Sequence, residues 1–489
     1  MKNRVVLTVA ALFVAGLGVA QESASGTTND LAAAPEVRDA VRLLNVWVEE
    51  QMSWQRIPGL ALGVVHGDAL VWARGYGVAD LESGRPVTPQ TLFRMGSVTK
   101  LFTATAVMQL RDAGKLRLDD PVGTHLSWFR LQSPFDGAPP ITLRHLLTHT
   151  SGLPREAAFP YWTTHEFPTL EELKAALPEQ TAVFPPGEEY KYSNLGLAML
   201  GAVVAEVAGE PYEEYVRKHI LEPLGMESTT LAPSPEDLRR LAAAYMRRTP
   251  DGARRQHTYY PTRSVAPAAN LISNVEDMAR FAALHLREGS PEGRPVLDRY
   301  TLAEMRRPQF VYDSWSGGRG LGFAVSHEDG TTFVAHGGWI GGHRTHLLLV
   351  PEAKIGVVAM TNAEDVGPAA FARRAFELVG KAIVEAAAEP LEERRADPAW
   401  ERLVGTYSDP WGWEYRVLIL DEQLVMYDSD YPPVDDPEGS LTPLEPVDGK
   451  PLTFRMSDGE HVVFELSEDG RVERMQRRYD YLYPVEAEE

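Results

Sequence analysis

Ser97-Val-Thr-Lys100 stands at the head of the segment Leu101-Phe-Thr-Ala-Thr-Ala-Val-Met-Gln-Leu110, and Thr91-Leu-Phe-Arg-Met-Gly96 precedes it. The residues after Lys100 are helix formers and largely apolar, so the segment reads as a buried helix. A lysine in the first turn of such a helix constrains the fold strongly. An ammonium taken out of water is costly unless the surrounding chain builds a polar site to receive it. Residues i and i+3 share a helix face, which brings the Lys100 amine within reach of the Ser97 hydroxyl. The positive end of the helix favours both a neutral lysine and a developing serine alkoxide. Ser and Lys three apart arise by chance about once in a chain of this size. Burial is what gives the pair here its catalytic meaning.

The chain has 489 residues, 44% of them hydrophobic. Single cores stop growing near ~250–300 residues, so two domains are expected. The one long apolar run, Val5 to Ala20, follows Lys2 and Arg4 and ends in Gly18-Val-Ala20. This pattern predicts a signal peptide over residues 1–20, cleaved after Ala20, and hence a secreted or periplasmic protein with no stable membrane span after cleavage; a retained anchor is the alternative. The absence of cysteine excludes disulfides, thiolate metal sites, a cysteine nucleophile and lipidation at a signal-peptide cysteine. A formal charge of −21 repels polyanions, so nucleic acid is not an expected partner.

Glu36 to Met52 has helical periodicity, and two strand-like runs follow, Leu60 to Val65 and Ala69 to Tyr76, joined by Gly67-Asp68. Helical patterns dominate from Ser97 onward. Strand patterns return at Leu347 to Val350 and Ile355 to Thr361, and Ala369 to Ala387 reads as a closing helix. This order predicts an antiparallel sheet assembled from both ends of the domain, with helices packed on it and a helical insert between. A charged break at Glu389 to Pro398 precedes a change of period to two. Leu452, Phe454 and Met456 alternate with other residues, as do Val462, Phe464 and Leu466, with turn signals at Asp448-Gly449, Asp458-Gly459 and Asp469-Gly470. The expected fold class is α+β, with domains over 36–388 and 398–486, the second reading as a small antiparallel β-barrel or sandwich.

A serine–lysine nucleophile also needs a proton relay, an oxyanion hole and a substrate clamp. Tyr192-Ser-Asn194 and His336-Gly-Gly338 are candidates, and their order after Ser97 matches the serine β-lactamase and penicillin-recognising superfamily. The stretches Thr91 to Lys100, Ile141-Thr-Leu-Arg-His-Leu-Leu-Thr-His-Thr-Ser-Gly-Leu-Pro154, Pro186-Gly-Glu-Glu-Tyr-Lys-Tyr-Ser-Asn-Leu-Gly196 and Pro223-Leu-Gly-Met226 resemble its class C β-lactamase-related branch, over roughly residues 36 to 385. The resemblance implies a β-lactamase/transpeptidase-like fold. It makes Ser97 the acylated nucleophile, with Lys100 and Tyr192 sharing base and acid work. A phenol beside a cationic lysine is easier to ionise, so Tyr192 is expected to accept the serine proton and return it to the leaving group. Asn194 resembles the amide that contacts the acyl chain, and the N–H groups of Ser97 and Trp339 the oxyanion hole.

His336 occupies the place of the lysine in the Lys-Thr-Gly or Lys-Ser-Gly of β-lactamases and resembles peptidase and esterase relatives, where the histidine bonds the tyrosine or the substrate. Gly337 and Gly338 are expected to let substrate approach the strand closely. His336, His343 and His346 invite a metal reading, which strand alternation and the want of a patterned carboxylate disfavour. His145 and His149, at i and i+4, read as packed residues of one helix face. Phe159-Pro-Tyr-Trp162 with Phe167 reads either as an aromatic lip over the acyl pocket or as a cluster pinning a long loop. Asn270 stands where relatives often carry glycine. The segment beginning Leu403-Val-Gly-Thr-Tyr407 resembles a lipocalin-like β domain appended to some of these peptidases, expected to cover the cleft or mediate homo-oligomer formation. The expected function is hydrolysis through an acyl-enzyme on Ser97, with no metal or organic cofactor. Short or D-amino-acid-containing peptides are the leading substrates, followed by carboxylic esters and then β-lactams. The rival class is a silent protein that binds a peptide or cell-wall fragment.

Overall fold

The computed structural model describes residues 28–286, 296–388, 397–420, 423–428 and 441–485. The expected signal peptide and most of the charged break after residue 388 lie outside them. The chain divides into two compact units, Met1–Ala387 and Ala388–Glu489.

The first unit is built on one eight-stranded sheet. Its strands are β1 (Gly59–His66), β2 (Ala69–Gly77), β3 (Phe310–Val311), β4 (Gly317–Arg319), β5 (Ala324–Glu328), β6 (Thr331–Ile340), β7 (His343–Val350) and β8 (Ile355–Thr361), in the spatial order β2-β1-β8-β7-β6-β5-β4-β3. Every neighbouring pair is antiparallel, and β1 from the start of the unit lies beside β8 from its end, as the order of strand patterns anticipates. Helices cover both faces, which explains why β1 and β8 read as unbroken apolar runs rather than as alternation. Leu60, Leu62, Val64, Val357 and Ala359 enter one core, while Ala61, Val65, Val358 and Met360 enter the other.

The helices that position the site are α1 (Pro35–Gln55), α2 (Thr99–Asp112), α3 (Asn194–Ala208), α4 (Val275–Leu286) and α5 (Pro368–Ala375). Residues of α1 and α5 pack into the first of these cores, and α2, α3 and α4 into the second. Helix α2 is buried on nearly every side; Phe102 stacks on Phe281 of α4 at 4.2 Å between ring centroids. From Thr99 to Met108 such a helix leaves a polar side chain no route to water.

In the second unit a nine-stranded antiparallel sheet nearly closes on itself. Its first and last strands in spatial order, Leu441–Pro443 and Glu445–Pro446, are separated in sequence only by Leu444, so the two edges meet. Phe454, Met456, Val462 and Phe464 fill its core. Gly449, Gly459 and Gly470 adopt φ of +69°, +86° and +83°, the conformations that their Asp-Gly turns require.

Candidate active site

The Ser97 turn is held from behind by backbone. Phe93–Arg94 pairs with Ile272–Ser273, and the Met95 N–H donates to Leu271 O at 2.7 Å. A 3₁₀ turn, Gly96–Val98, then leads into α2. Gly96 has φ +51°, and a Cβ there would stand 2.6 Å from the Trp339 nitrogen, so glycine is what lets β6 lie against this turn. Gly338 is required for the same reason from the opposite side. Its Cβ would stand 2.0 Å from Met95 O and 2.2 Å from Thr345 Oγ1. The space expected for substrate at Gly338 is therefore occupied by the protein's own backbone; the nearest atom to a Cβ at Gly337 is His346 Nδ1, at 3.5 Å.

Lys100 is fully buried. Its Nζ lies 3.0 Å from Ser97 Oγ, 2.7 Å from Asn194 Oδ1 and 2.8 Å from Ala268 O. Asn194 is oriented by its Nδ2, which donates to Glu156 Oε1 at 2.7 Å, so its Oδ1 faces the lysine as an acceptor. Burial holds the Lys100 pKa well below the ordinary lysine value, opposed by Glu156 and assisted by Arg155. The Asn194 and Ala268 oxygens can only accept. In the neutral amine they engage both N–H groups and leave the lone pair for the Ser97 O–H. This is the geometry of a general base.

Tyr192 lies beside this pair, with Lys100 Nζ 4.9 Å from its ring centroid. Burial raises the Tyr192 pKa above the ordinary phenol value, against the Ser97 hydroxyl, Arg155 and Arg319, which pull it down. The expectation that a cationic lysine would ease its ionisation is thus corrected: the lysine is itself driven towards neutrality, and desolvation keeps the phenol protonated. Tyr192 rests as a proton donor. Ser193 caps α3, its Oγ accepting from the Gly196 N–H at 2.9 Å, which fixes Tyr192 and Asn194 at the helix entrance.

His149 positions Tyr192. Its ring stacks on the phenol at 4.2 Å, and its Nδ1 accepts the Ser193 N–H at 3.1 Å. The helix face expected to be shared with His145 does not form, because the helix ends at Thr148 and His149 takes a left-handed φ of 58° beyond it. His145 instead closes a capping box with Thr142.

His336 donates from Nδ1 to Gly337 O at 2.8 Å, which leaves Nε2 as a buried acceptor without a partner among the described residues. Burial first of all, and then the Arg319 charge, push its pKa down to about 3. Its ring centroid is 6.4 Å from that of Tyr192, and Nε2 bonds no group among the described residues, so the expected hydrogen bond to the tyrosine is not formed. Among the described residues, no group of three or more His, Asp or Glu could hold a metal ion.

These groups open into a cleft of about 670 Å³. Pairing of β6 with β5 stops at Ala335, whereas pairing with β7 continues through Ile340, so residues 336–340 present one unpaired backbone edge. Trp162 and Trp339 form a lip, 5.7 Å between ring centroids, while Tyr161 and Phe167 are buried and pin the loop; both readings of the aromatic stretch hold, for different residues. Among the described residues, Arg155, Arg319 and Arg344 line the cleft and no Asp or Glu does, in a chain of net charge −21; Arg155 Nε is paired with Glu156 Oε1 at 3.2 Å. Asn270 joins two loops, its Nδ2 donating to Leu231 O at 2.6 Å.

Sequence reasoning missed Glu156, Arg155 and Arg319, which lie outside the three motifs. Only the sequence adjacency of Arg155-Glu156 to Gly152-Leu-Pro154 hinted at the first two.

A family model described as Beta-lactamase matches residues 44–381. The chain belongs to the beta-lactamase family. It is 32% identical over 361 residues to penicillin-binding protein 4 of Amycolatopsis lactamdurans, covering 72% of this chain and 93% of that one. It is 30% identical over 312 residues to the D-alanyl-D-alanine-carboxypeptidase/endopeptidase AmpH of Escherichia coli, covering 61% and 77%. The octameric penicillin-binding protein homologue from Pyrococcus abyssi superposes with a TM-score of 0.61 at 25% identity, over 90% of this chain and 99% of that one. This beta-lactamase-family chain is a serine hydrolase.

Proposed function

We propose that the protein is an exported peptidase that cleaves short peptides, D-amino-acid-containing ones included, near a free carboxyl terminus. The observation that carries the reading is the unpaired edge of residues 336–340 beside Ser97, in a cleft whose described lining includes three arginines, one of them paired with Glu156. An extended acyl chain adds to such an edge through main-chain hydrogen bonds. The arginines favour an anionic terminus on the leaving side. The names of AmpH and penicillin-binding protein 4 agree with a peptide or cell-wall substrate.

In this mechanism Lys100 Nζ takes the Ser97 proton as Oγ bonds to the carbonyl carbon. The N–H groups of Ser97 and Trp339 hold the oxyanion. Tyr192 O–H protonates the departing amine as the C–N bond breaks and is reprotonated from Lys100. Water then reverses these roles and releases the acid. Asn194 orients Lys100 and the acyl chain, and His336 Nε2 accepts from the substrate. Residues 36–388 carry this chemistry, 398–486 form an accessory barrel, and the leader 1–20 directs export.

Ser97→Ala is expected to abolish labelling by a fluorophosphonate, read by intact mass, together with turnover of every substrate. With wild type, a D-alanyl-D-alanine-terminated peptide should be cleaved with a kcat/KM at least tenfold above that of its carboxamide, and Arg319→Gln should narrow the gap. A preference for the carboxamide, or for nitrophenyl esters over both, would move the assignment to esterase. Tyr192→Phe deletes only the proton-donating hydroxyl and should lower kcat by ~10²–10⁴-fold with the fold unchanged by circular dichroism.

A further inference from the structure

At Arg94, in the strand segment that feeds Ser97, lies a second cavity, of about 350 Å³, walled in part by Arg85, Arg94, Arg239, Asp80, His257 and His343. Arg94 is its anomaly. The side chain is 2% exposed, yet among the described residues the groups that act on its charge are Tyr259 and Tyr260, not a carboxylate. It is held between the two rings, 4.7 and 4.6 Å from their centroids, and donates to Tyr260 O at 2.9 Å, but among the described residues its Nε has no partner. A buried guanidinium without a counter-charge is costly and rarely kept without use.

The rest of the wall does not supply that charge. The one carboxylate, Asp80, already accepts from Ser83 Oγ, the Glu82 N–H and Tyr245 OH. His343 is fully buried beside Phe93 and is held neutral at ordinary pH, first by burial and then by Arg94. Arg85 and Arg239 add two positive groups at the same cavity. The wall is cationic in a chain of net charge −21.

We infer that this cavity is a binding site for a small oxyanion, a phosphate or a compact carboxylate, whose charge completes the coordination of Arg94. The site lies outside the catalytic cleft but is coupled to it by covalent structure. Arg94 is three residues before Ser97, and the next residue, Met95, is clamped by Leu271 and by Thr345 Oγ1, which donates to Met95 O at 2.8 Å. An occupant would stiffen the segment on which the nucleophile stands.

The test uses the full chain, with inorganic phosphate and acetate as separate probes at constant ionic strength. Isothermal titration and thermal melting are expected to show saturable binding of at least one probe, and amide exchange should slow over residues 91–96. The tighter of the two identifies the source of the oxyanion. Arg94→Gln should weaken binding tenfold or more. Because that variant removes a buried side chain and threatens folding, the double variant Arg85→Gln/Arg239→Gln, whose side chains lie at less buried positions, carries the same expectation. Arg319→Gln, in the catalytic cleft, should leave the affinity unchanged. Absence of saturable binding of both probes at millimolar concentrations would overturn the inference. So would affinity that survives the double variant, or that is lost in Arg319→Gln.

Discussion

Lys100→Met should lower kcat/KM by ~10²–10⁴-fold, the range of a deleted general base, while circular dichroism reports a folded protein. The wild-type pH profile carries the same argument. A lysine in water is protonated below about 10.4, and here burial lowers that value. Catalysis needs the neutral amine, so activity is lost as pH falls through the lowered lysine value and rises above it, with a limb well to the acid side of an ordinary lysine. At the alkaline end, activity falls only where Tyr192 loses its proton, above the ordinary phenol range, because burial raises it. His336, pushed down to about 3, stays neutral across this window. His336→Asn should therefore change KM and substrate preference without moving the acid limb. A limb that shifts in His336→Asn, or an active Lys100→Met protein, would transfer the base from Lys100 to another group.

Gly338→Ala is expected to be nearly as damaging although it touches no reacting atom. The added methyl meets Met95 O and Thr345 Oγ1 at 2.0 and 2.2 Å, and the first of these belongs to backbone that Leu271 also holds. Neither neighbour moves without breaking the Thr345–Met95 hydrogen bond, so β6 must shift away from the serine turn. Overpacking of this kind costs about 1–3 kcal/mol. Displacing the Trp339 N–H by ~1 Å is worth about 10²-fold in rate. A lowered melting temperature together with a fall in kcat larger than the change in KM would support this account. Wild-type kcat in a stable Gly338→Ala protein would show that the strand and the serine turn are not packed as described.

The pairing of the sheet's two ends was legible because β1, β8 and the last half of β7 are apolar runs bounded by turn residues, whereas β3 to β6, short or rich in polar residues and glycine, gave no such signal. The pair Ser97 and Lys100 was legible because helical spacing places i and i+3 on one face. Tyr192, Asn194 and His336 were legible by resemblance, which supplies their order along the chain and not their electrostatics. The roles that reversed were those set by burial. Whether Tyr192 is eased or hindered in losing its proton depends on how much water reaches it, and no local pattern reports that. Gly338 reads in sequence as room for substrate, but what approaches it is Met95, from the turn before Ser97, more than 200 residues earlier. Glu156 orients Asn194, and through it Lys100, from a loop that joins the site only when the chain folds.

By itself, then, the sequence determined the helix that buries a lysine, the serine beside it, the antiparallel pairing of the sheet's two ends and the separate β-rich unit, because these follow from periodicity and from spacing within one element. The tertiary structure decided the direction in which Lys100, Tyr192 and His336 are shifted, the orientation of Asn194, the arginines that line the cleft and the burial of Arg94. Desolvation and Coulomb interactions depend on which distant segments surround a group, and that arrangement exists only in the folded chain.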